Sequence, residues 1–220
     1  MQAEQGREFL VTQMIEQQVR AWDVLDARVL DVLRRVPRDR FVPAEHRYLA
    51  FADVEIPLPH GQHMLRPNLV GRLLQALELT GTERVLEIGS GSGFVTACLA
   101  ALSASVLSLE LFPELADLAR TNLAAHRIGD AEIVTADAMQ ADFDARFDAI
   151  AVTASLPLYD ERFQQRLDIG GRLFVVVGEP PVMEARLVRR SAEDGWSSES
   201  LFETVIDPLM NARRPAEFEF

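Results

Sequence analysis

The chain has 220 residues, of which 48% are hydrophobic and 25% are charged, and its formal net charge is −12. This composition is typical of a globular protein that buries its core without a disulfide or a structural metal. Because nucleic-acid binding depends on Lys and Arg at phosphates, the acidic charge argues against a DNA or RNA partner. The single cysteine, Cys98, excludes an intrachain disulfide and fits a reducing compartment.

The N-terminal residues and the short apolar segments argue against secretion and membrane insertion. Residues 1–6 are polar and lack the basic and apolar regions of a signal peptide. The apolar runs are short and interrupted, so we expect no membrane span and no membrane partner. We therefore expect a cytoplasmic protein.

The first third of the chain has the periodicity of helices. Apolar residues recur at helical spacing in residues 13–20, 26–35 and 68–79, and prolines interrupt the pattern between them. Residues 53–67 contain several Pro and Gly and predict a loop. We expect residues 1–80 to form a helical cap and substrate loop on a sheet core at 81–220, all within one domain.

From residue 84 onward, predicted strands alternate with predicted helices. The strands are expected at 85–88, 105–109, 132–135, 149–153 and 172–177, and the helices at 94–102, 113–126 and 159–167. Gly170 and Gly171 predict a turn, and Asp194 with Gly195 predicts the turn of a closing hairpin within 184–206. Such alternation implies right-handed crossovers and a doubly wound, mainly parallel α/β sheet.

A glycine-rich turn follows the first of these strands and carries Gly89, Gly91 and Gly93. Glycines there permit positive φ angles and a close approach of the backbone to a ligand. Glu110 lies 19 residues after Gly91, at the end of the next strand, where a carboxylate can accept both hydroxyls of a ribose. A dinucleotide site would need a small residue at the position of the bulky Phe94.

The spacing of the three glycines, with Glu87 before them, instead resembles the first motif of the S-adenosylmethionine-dependent methyltransferases. We therefore predict S-adenosyl-L-methionine as cofactor, held by Glu87, the three glycines and Glu110. Asp137 follows the third predicted strand and is expected to accept a hydrogen bond from the adenine amino group.

Several segments outside the glycine turn narrow this resemblance. Residues 14–20, 36–43, 57–62, 147–154 and 170–179 resemble the protein-L-isoaspartate O-methyltransferase family, and the similarity runs from about residue 14 to 208. The resemblance implies a seven-stranded Rossmann-like methyltransferase sheet. It also implies a repair enzyme that esterifies the free α-carboxylate of isoaspartyl residues in damaged proteins.

The substrate loop departs from the family pattern. After Gly-Gln the family continues with Thr, an aliphatic residue, Ser, any residue and Pro, whereas this chain has residues 63–67 as His-Met-Leu-Arg-Pro. Leu65 thus replaces the serine that, in the family, lies beside the substrate carboxylate, and leucine donates no hydrogen bond. We expect Arg66 to supply a replacement contact, because a guanidinium binds a carboxylate with two parallel hydrogen bonds. His63, Leu65 and Arg66 form the predicted catalytic loop.

A carboxylate acceptor is already ionised at neutral pH and needs no general base. The remaining residues expected to face it are His60, Gln62, Thr153 and Ser155. His60 and His63 lack further ligands at metal-binding spacing, so no metal site is predicted. Two alternatives stay open: a methyltransferase for another carboxylate or a small molecule, and a cofactor-binding protein with little activity.

Overall fold

The computed structural model describes residues 2–142 and 144–216 of the chain. Phe218 and Phe220, for which the sequence predicts neither docking nor exposure, lie outside the described residues. Within the described part, no helix is both long and apolar enough to cross a membrane.

The cap is built from short helices that enclose apolar side chains. It comprises α1 (Gln2–Gln13), a π-helix (Met14–Val19), a 3-10 turn (Arg20–Trp22), α2 (Ala27–Arg35), α3 (Arg38–Phe41) and a 3-10 helix (Ala44–Leu49). The helix predicted at 13–20 therefore begins eleven residues earlier, at Gln2. Asp26 caps α2 by accepting a hydrogen bond from the Arg28 backbone N–H at 2.8 Å.

The predicted loop at 53–67 contains a minimal hairpin. Strand β1 (Ile56–Pro57) pairs antiparallel with β2 (His63–Met64) across a 3-10 turn (Pro59–Gly61). Helix α4 (Pro67–Ala76) follows at once, with Pro67 in its first turn, where a missing N–H has no cost.

The core is a seven-stranded sheet, as predicted. Its elements are β3 (Arg84–Ile88), α5 (Phe94–Ala100), β4 (Ser105–Glu110), α6 (Pro113–Ala125), β5 (Ala131–Thr135), β6 (Phe147–Leu156), β7 (Leu167–Glu179), β8 (Val182–Arg190) and β9 (Trp196–Glu203). The strand order is β5-β4-β3-β6-β7-β8-β9. Strands β3 to β7 are parallel, and β8 and β9 add antiparallel to the edge.

Two local expectations are wrong. The helix predicted at 159–167 is a set of turns ending in one 3-10 turn (Gln164–Arg166), and Asp160 fixes the first of them by accepting a hydrogen bond from the Arg162 N–H. Gly170 and Gly171 do not turn the chain out of the sheet but lie within β7, at a register shift between β6 and β7. Gly170, at φ +87°, allows this irregularity.

The two faces of the sheet are covered differently. Helices α4, α5 and α6 and the cap pack on the face that carries Val85 and Val106. The opposite face, which carries Leu86 and Ile88, is covered by turns and extended segments, including Phe163 and the partly buried Leu209. Successive side chains along a strand point to opposite faces of the sheet, so the neighbours Val85 and Leu86 lie on opposite faces.

Arg172 and Glu83 connect the end of α4 to the sheet. Arg172, on β7, donates to the backbone carbonyls of Leu77 and Glu78 and to the Glu83 carboxylate. Glu83 also accepts the Thr80 hydroxyl and the backbone N–H groups of residues 80–82. Burial raises the pKa of this carboxyl, but the hydrogen bonds outweigh burial and hold the pKa at about 2.

We expect Glu83→Gln to lower the free energy of unfolding by roughly 1.5–3 kcal/mol at neutral pH, since hydrogen bonds to a charged group are lost. The folded-state pKa lies below the ordinary value of about 4.3. The stabilisation is therefore complete above that value and is lost as the pH falls toward 2. Urea unfolding of both proteins between pH 7 and pH 2.5 measures this difference. Glu132→Gln, an exposed change on β5, is the control, and a pH-independent difference would contradict the expectation.

Candidate functional site

A cleft of about 750 Å³, partly open to solvent, lies at the carboxyl ends of β3, β4, β5 and β6. We call it the main cleft. The residues that line it come from the substrate loop, the strand ends and the C-terminal segment: Glu55, Leu58, Gln62, His63, Leu65, Ile88, Gly89, Gly91, Leu109, Glu110, Leu111, Phe112, Leu115, Ala136, Asp137, Ala138, Thr153, Ala154, Ile206, Asp207, Leu209 and Met210. In open α/β sheets, ligands bind at this edge.

The glycine turn forms one wall of the main cleft. Gly89 has φ +93°, and an added Cβ would lie 2.6 Å from the Thr153 hydroxyl, so only glycine fits there. That hydroxyl donates to the carbonyls of Ile88 and Gly89, which fixes the turn to β6. Gly91 also lines the cleft, whereas Gly93 packs on Ala119 of α6 and supports the turn from behind.

The Glu110 carboxylate is held in place by the backbone on both sides. Its Oε2 accepts the Gly91 N–H at 2.9 Å, and its Oε1 accepts the Phe112 N–H at 3.1 Å. Each oxygen keeps a second lone pair for a ligand. The residue is only 5% exposed, and its accessible edge lines the main cleft. Glu110 thus presents two parallel acceptors in a fixed orientation.

Glu87 lies elsewhere than expected. Its side chain is fully buried under the turn, on the helix-covered face of β3, and accepts hydrogen bonds from Thr96 and Ser108. Burial raises the pKa of its carboxyl to about 7. Because Glu87 does not line the main cleft, the structure gives it a supporting position behind the glycine turn in place of the expected cofactor contact.

Asp137 is fixed by a segment that sequence reasoning missed. Its Oδ1 accepts the Met139 N–H at 2.8 Å, and its Oδ2 accepts the Asn211 side-chain amide at 2.9 Å. The chain after β9 returns to the cleft because the backbone of Ser155 pairs with Asp207 and Leu209. In the sequence, this return has no local signal.

The substrate loop forms the opposite wall. His63 and Gln62 line the main cleft, and His63 Nδ1 lies 2.6 Å from Asp207 Oδ2. Leu65 is 8% exposed and presents an apolar side chain to the cleft. A carboxylate at Nδ1 orients an imidazole so that Nε2 is left for another contact.

Three of the residues expected to face the acceptor lie outside the lining. The His60 ring stacks on Phe112 at 4.3 Å and lies 3.1 Å from Glu114. Ser155 is fully buried beside the returning C-terminal segment.

Arg66 is the third. Its Nη2 donates to the Thr204 hydroxyl at 3.2 Å, and its Nε lies 3.9 Å from Glu55. Arg66 thus contacts Thr204 and Glu55 in this structure, and its contact with an acceptor carboxylate stays a prediction.

The electrostatics of the main cleft are acidic. Four carboxylates line it, from Glu55, Glu110, Asp137 and Asp207, and the lining residues include no Lys or Arg. Burial raises the pKa of Glu55; the nearby Arg66 opposes this shift, and Asp207 adds to it. Such a cleft attracts a cationic ligand group. Among residues 2–142 and 144–216, no three His, Cys, Asp or Glu side chains form a group that could hold a metal ion.

Comparison with known proteins connects this geometry to a family. The family model for protein-L-isoaspartate(D-aspartate) O-methyltransferase matches residues 8–213. Protein-L-isoaspartate O-methyltransferase 1 of Rhodopseudomonas palustris is 39% identical over 200 residues, covering 90% of this chain and 81% of that protein. The enzyme of that name from Methanoculleus marisnigri is 39% identical over 180 residues, covering 81% of this chain and 82% of its own.

The fold has a solved relative as well. A Plasmodium falciparum protein assigned to the protein-L-isoaspartate O-methyltransferases, crystallised with S-adenosyl-L-homocysteine, superposes with a TM-score of 0.77. The superposition covers 92% of this chain and 97% of the Plasmodium falciparum chain, at 20% sequence identity, which shows the shared fold. With a family match across nearly the whole chain and relatives at 39% identity, the predicted resemblance is confirmed: this chain belongs to the protein-L-isoaspartate(D-aspartate) O-methyltransferase family.

Proposed function

We propose that this protein is an S-adenosylmethionine-dependent O-methyltransferase that esterifies a carboxylate, with isoaspartyl residues of damaged proteins as its substrate. The family match over residues 8–213 is the observation that carries the proposal. Cytoplasmic action stays a prediction from the sequence.

The described residues fit the cofactor. The two oriented oxygens of Glu110 match the two neighbouring hydroxyls of a ribose. Asp137 is oriented by Met139 and Asn211 and would accept from an adenine amino group. Ala136, Ala138 and Leu115 supply an apolar surface for the purine ring.

When bound, the cofactor supplies an electrophilic methyl group on a positively charged sulfonium. The chain's own contribution is to position the acceptor and to exclude water. An ionised carboxylate attacks without a general base, so holding the reacting atoms in line supplies most of the acceleration. Leu58, Leu65 and Leu209 form an apolar enclosure around the position between the glycine turn and the substrate loop.

We expect Glu110→Gln to weaken binding of S-adenosyl-L-homocysteine about tenfold or more, because an amide replaces one of the two charged acceptors. Isothermal titration calorimetry measures the change. Glu132→Gln should bind like the unmodified protein. Equal affinity in the Glu110 variant would show that the ribose lies elsewhere.

The acceptor is tested with labelled methyl transfer to a peptide that contains one isoaspartyl residue, with the matching aspartyl peptide as control. We expect transfer to the isoaspartyl peptide alone. Leu65→Ser returns a hydroxyl to the loop and should raise kcat/KM roughly 2- to 10-fold, the effect of one neutral hydrogen bond. Cofactor binding without transfer by either protein would contradict the isoaspartyl substrate and favour a cofactor-binding protein with little activity.

A second acceptor class is favoured by the pair of His63 and Asp207. Since Asp207 holds Nδ1, the free Nε2 of His63 can accept a proton from a neutral hydroxyl. Such an acceptor needs a base, unlike a carboxylate, and Leu65 would pack against its apolar part. The second candidate is therefore O-methylation of a small hydroxyl compound.

Transfer to a series of simple phenols, measured beside the peptide assay, separates the two acceptor classes. Under the second candidate, His63→Gln abolishes transfer to phenols, since the proton acceptor is lost, and changes transfer to a carboxylate only a few-fold. Transfer to the isoaspartyl peptide with none to any phenol would reject the second candidate.

A further inference from the structure

Arg38 is a buried cation that forms no salt bridge among the described residues, although the Asp53 carboxylate favours its charged form at longer range. The residue is 1% exposed; its Nε donates to the Ala50 carbonyl at 2.9 Å and its Nη2 to the Leu65 carbonyl at 2.8 Å. Its Nη1 has no hydrogen-bond partner among the described residues. Burial lowers the pKa of the guanidinium to about 10, so the group is charged at neutral pH.

Arg190 shows how the same fold satisfies a buried arginine. Its three guanidinium nitrogens donate to the carbonyls of Leu167, Ala192 and Glu193. No nitrogen of Arg190 is left over, and the residue lies far from the main cleft, at the end of β8. The unpaired nitrogen of Arg38 is thus a property of its site and is not required by burial.

Arg38 lines a second cavity of about 320 Å³, partly open to solvent, which we call the side cavity. Gly89, Gly91, His63, Leu65 and Thr153 line both the side cavity and the main cleft, so the two spaces adjoin.

Ser90, in the glycine turn, also lines the side cavity. Its side chain is 5% exposed and its hydroxyl oxygen has no hydrogen-bond partner among the described residues. Two unsatisfied donors, one of them charged, therefore border the same cavity. Leaving such groups unpaired costs free energy that a bound anion would recover.

We propose that Arg38 and Ser90 form a carboxylate-binding subsite in the side cavity. The unpaired Nη1 of the Arg38 guanidinium can donate a charge-assisted hydrogen bond to a carboxylate, and the Ser90 hydroxyl adds a second donor. The inference rests on the proposed function, which brings two carboxylates to this place: the amino-acid end of the cofactor and the methyl acceptor. Neither His63 nor Leu65 supplies a comparable cation.

The test compares two ligands that differ in the carboxylate. S-adenosyl-L-homocysteine carries the amino-acid end, and 5′-methylthioadenosine has the same nucleoside thioether without it. Calorimetry with both ligands is run on the unmodified protein, Ser90→Ala, Arg38→Met and the matched control Arg190→Met. Ser90→Ala removes an unpartnered hydroxyl and should leave the thermal unfolding temperature unchanged, so it serves even if Arg38→Met does not fold.

If the cofactor supplies the carboxylate, Ser90→Ala and Arg38→Met weaken S-adenosyl-L-homocysteine tenfold or more and leave 5′-methylthioadenosine unchanged. If the acceptor supplies it, both ligands bind normally and KM for the isoaspartyl peptide rises tenfold or more. Changes below twofold in every measurement, or equal losses in Arg190→Met, would overturn the subsite. An unmodified protein that binds neither ligand would overturn the proposed function itself, and the subsite with it.

Discussion

The buried guanidinium of Arg38 is the contact at which the cap, the substrate loop and the sheet core meet. It donates to the Ala50 carbonyl in the cap and to the Leu65 carbonyl in the loop, and its Cζ lies 4.8 Å from the centroid of the Phe94 ring at the start of α5. A buried charge tolerates little displacement, because each lost partner leaves a desolvated donor. The position of Leu65 beside the glycine turn therefore depends on the cap being docked.

A second constraint fixes the other half of the site. Glu110 accepts backbone N–H groups from two different loops, and this requires Gly91 to adopt a positive φ of 52°. The glycines therefore act through backbone shape, and the carboxylate both orders the turn and presents its free lone pairs to the cleft. Ordering by backbone partners keeps the site preformed, which lowers the entropy lost on binding.

Local patterns in the sequence predicted most elements of the fold and which residues at the strand ends lie at the main cleft. Glu110 and the glycine turn are examples, because strand, turn and carboxylate follow one another at short spacing. Glu87 was misplaced since alternation along β3 turns it, with Val85, toward the helix-covered face. Asp207 pairs with Ser155 of β6, and Asn211 with Asp137, so both roles depend on contacts between residues far apart in the chain. In the sequence, a buried arginine such as Arg38 is indistinguishable from a surface arginine.

The charge of the main cleft also bears on the acceptor. Glu55, Glu110, Asp137 and Asp207 together favour a cationic sulfonium and disfavour a second anion near it. An anionic acceptor therefore needs a compensating cation within reach, and Arg66 is engaged by Thr204 and Glu55. With Leu65 in place of the family's loop serine, two guanidinium nitrogens by the substrate loop lack a hydrogen-bond partner among the described residues. They are Arg66 Nε, which lies 3.9 Å from Glu55, and Arg38 Nη1 behind the loop. The neutral hydrogen bond that Leu65 cannot form is then a smaller loss to the site than the Arg38 cation would be. Hydrogen bonds to charged groups are about twice as strong as those between neutral groups.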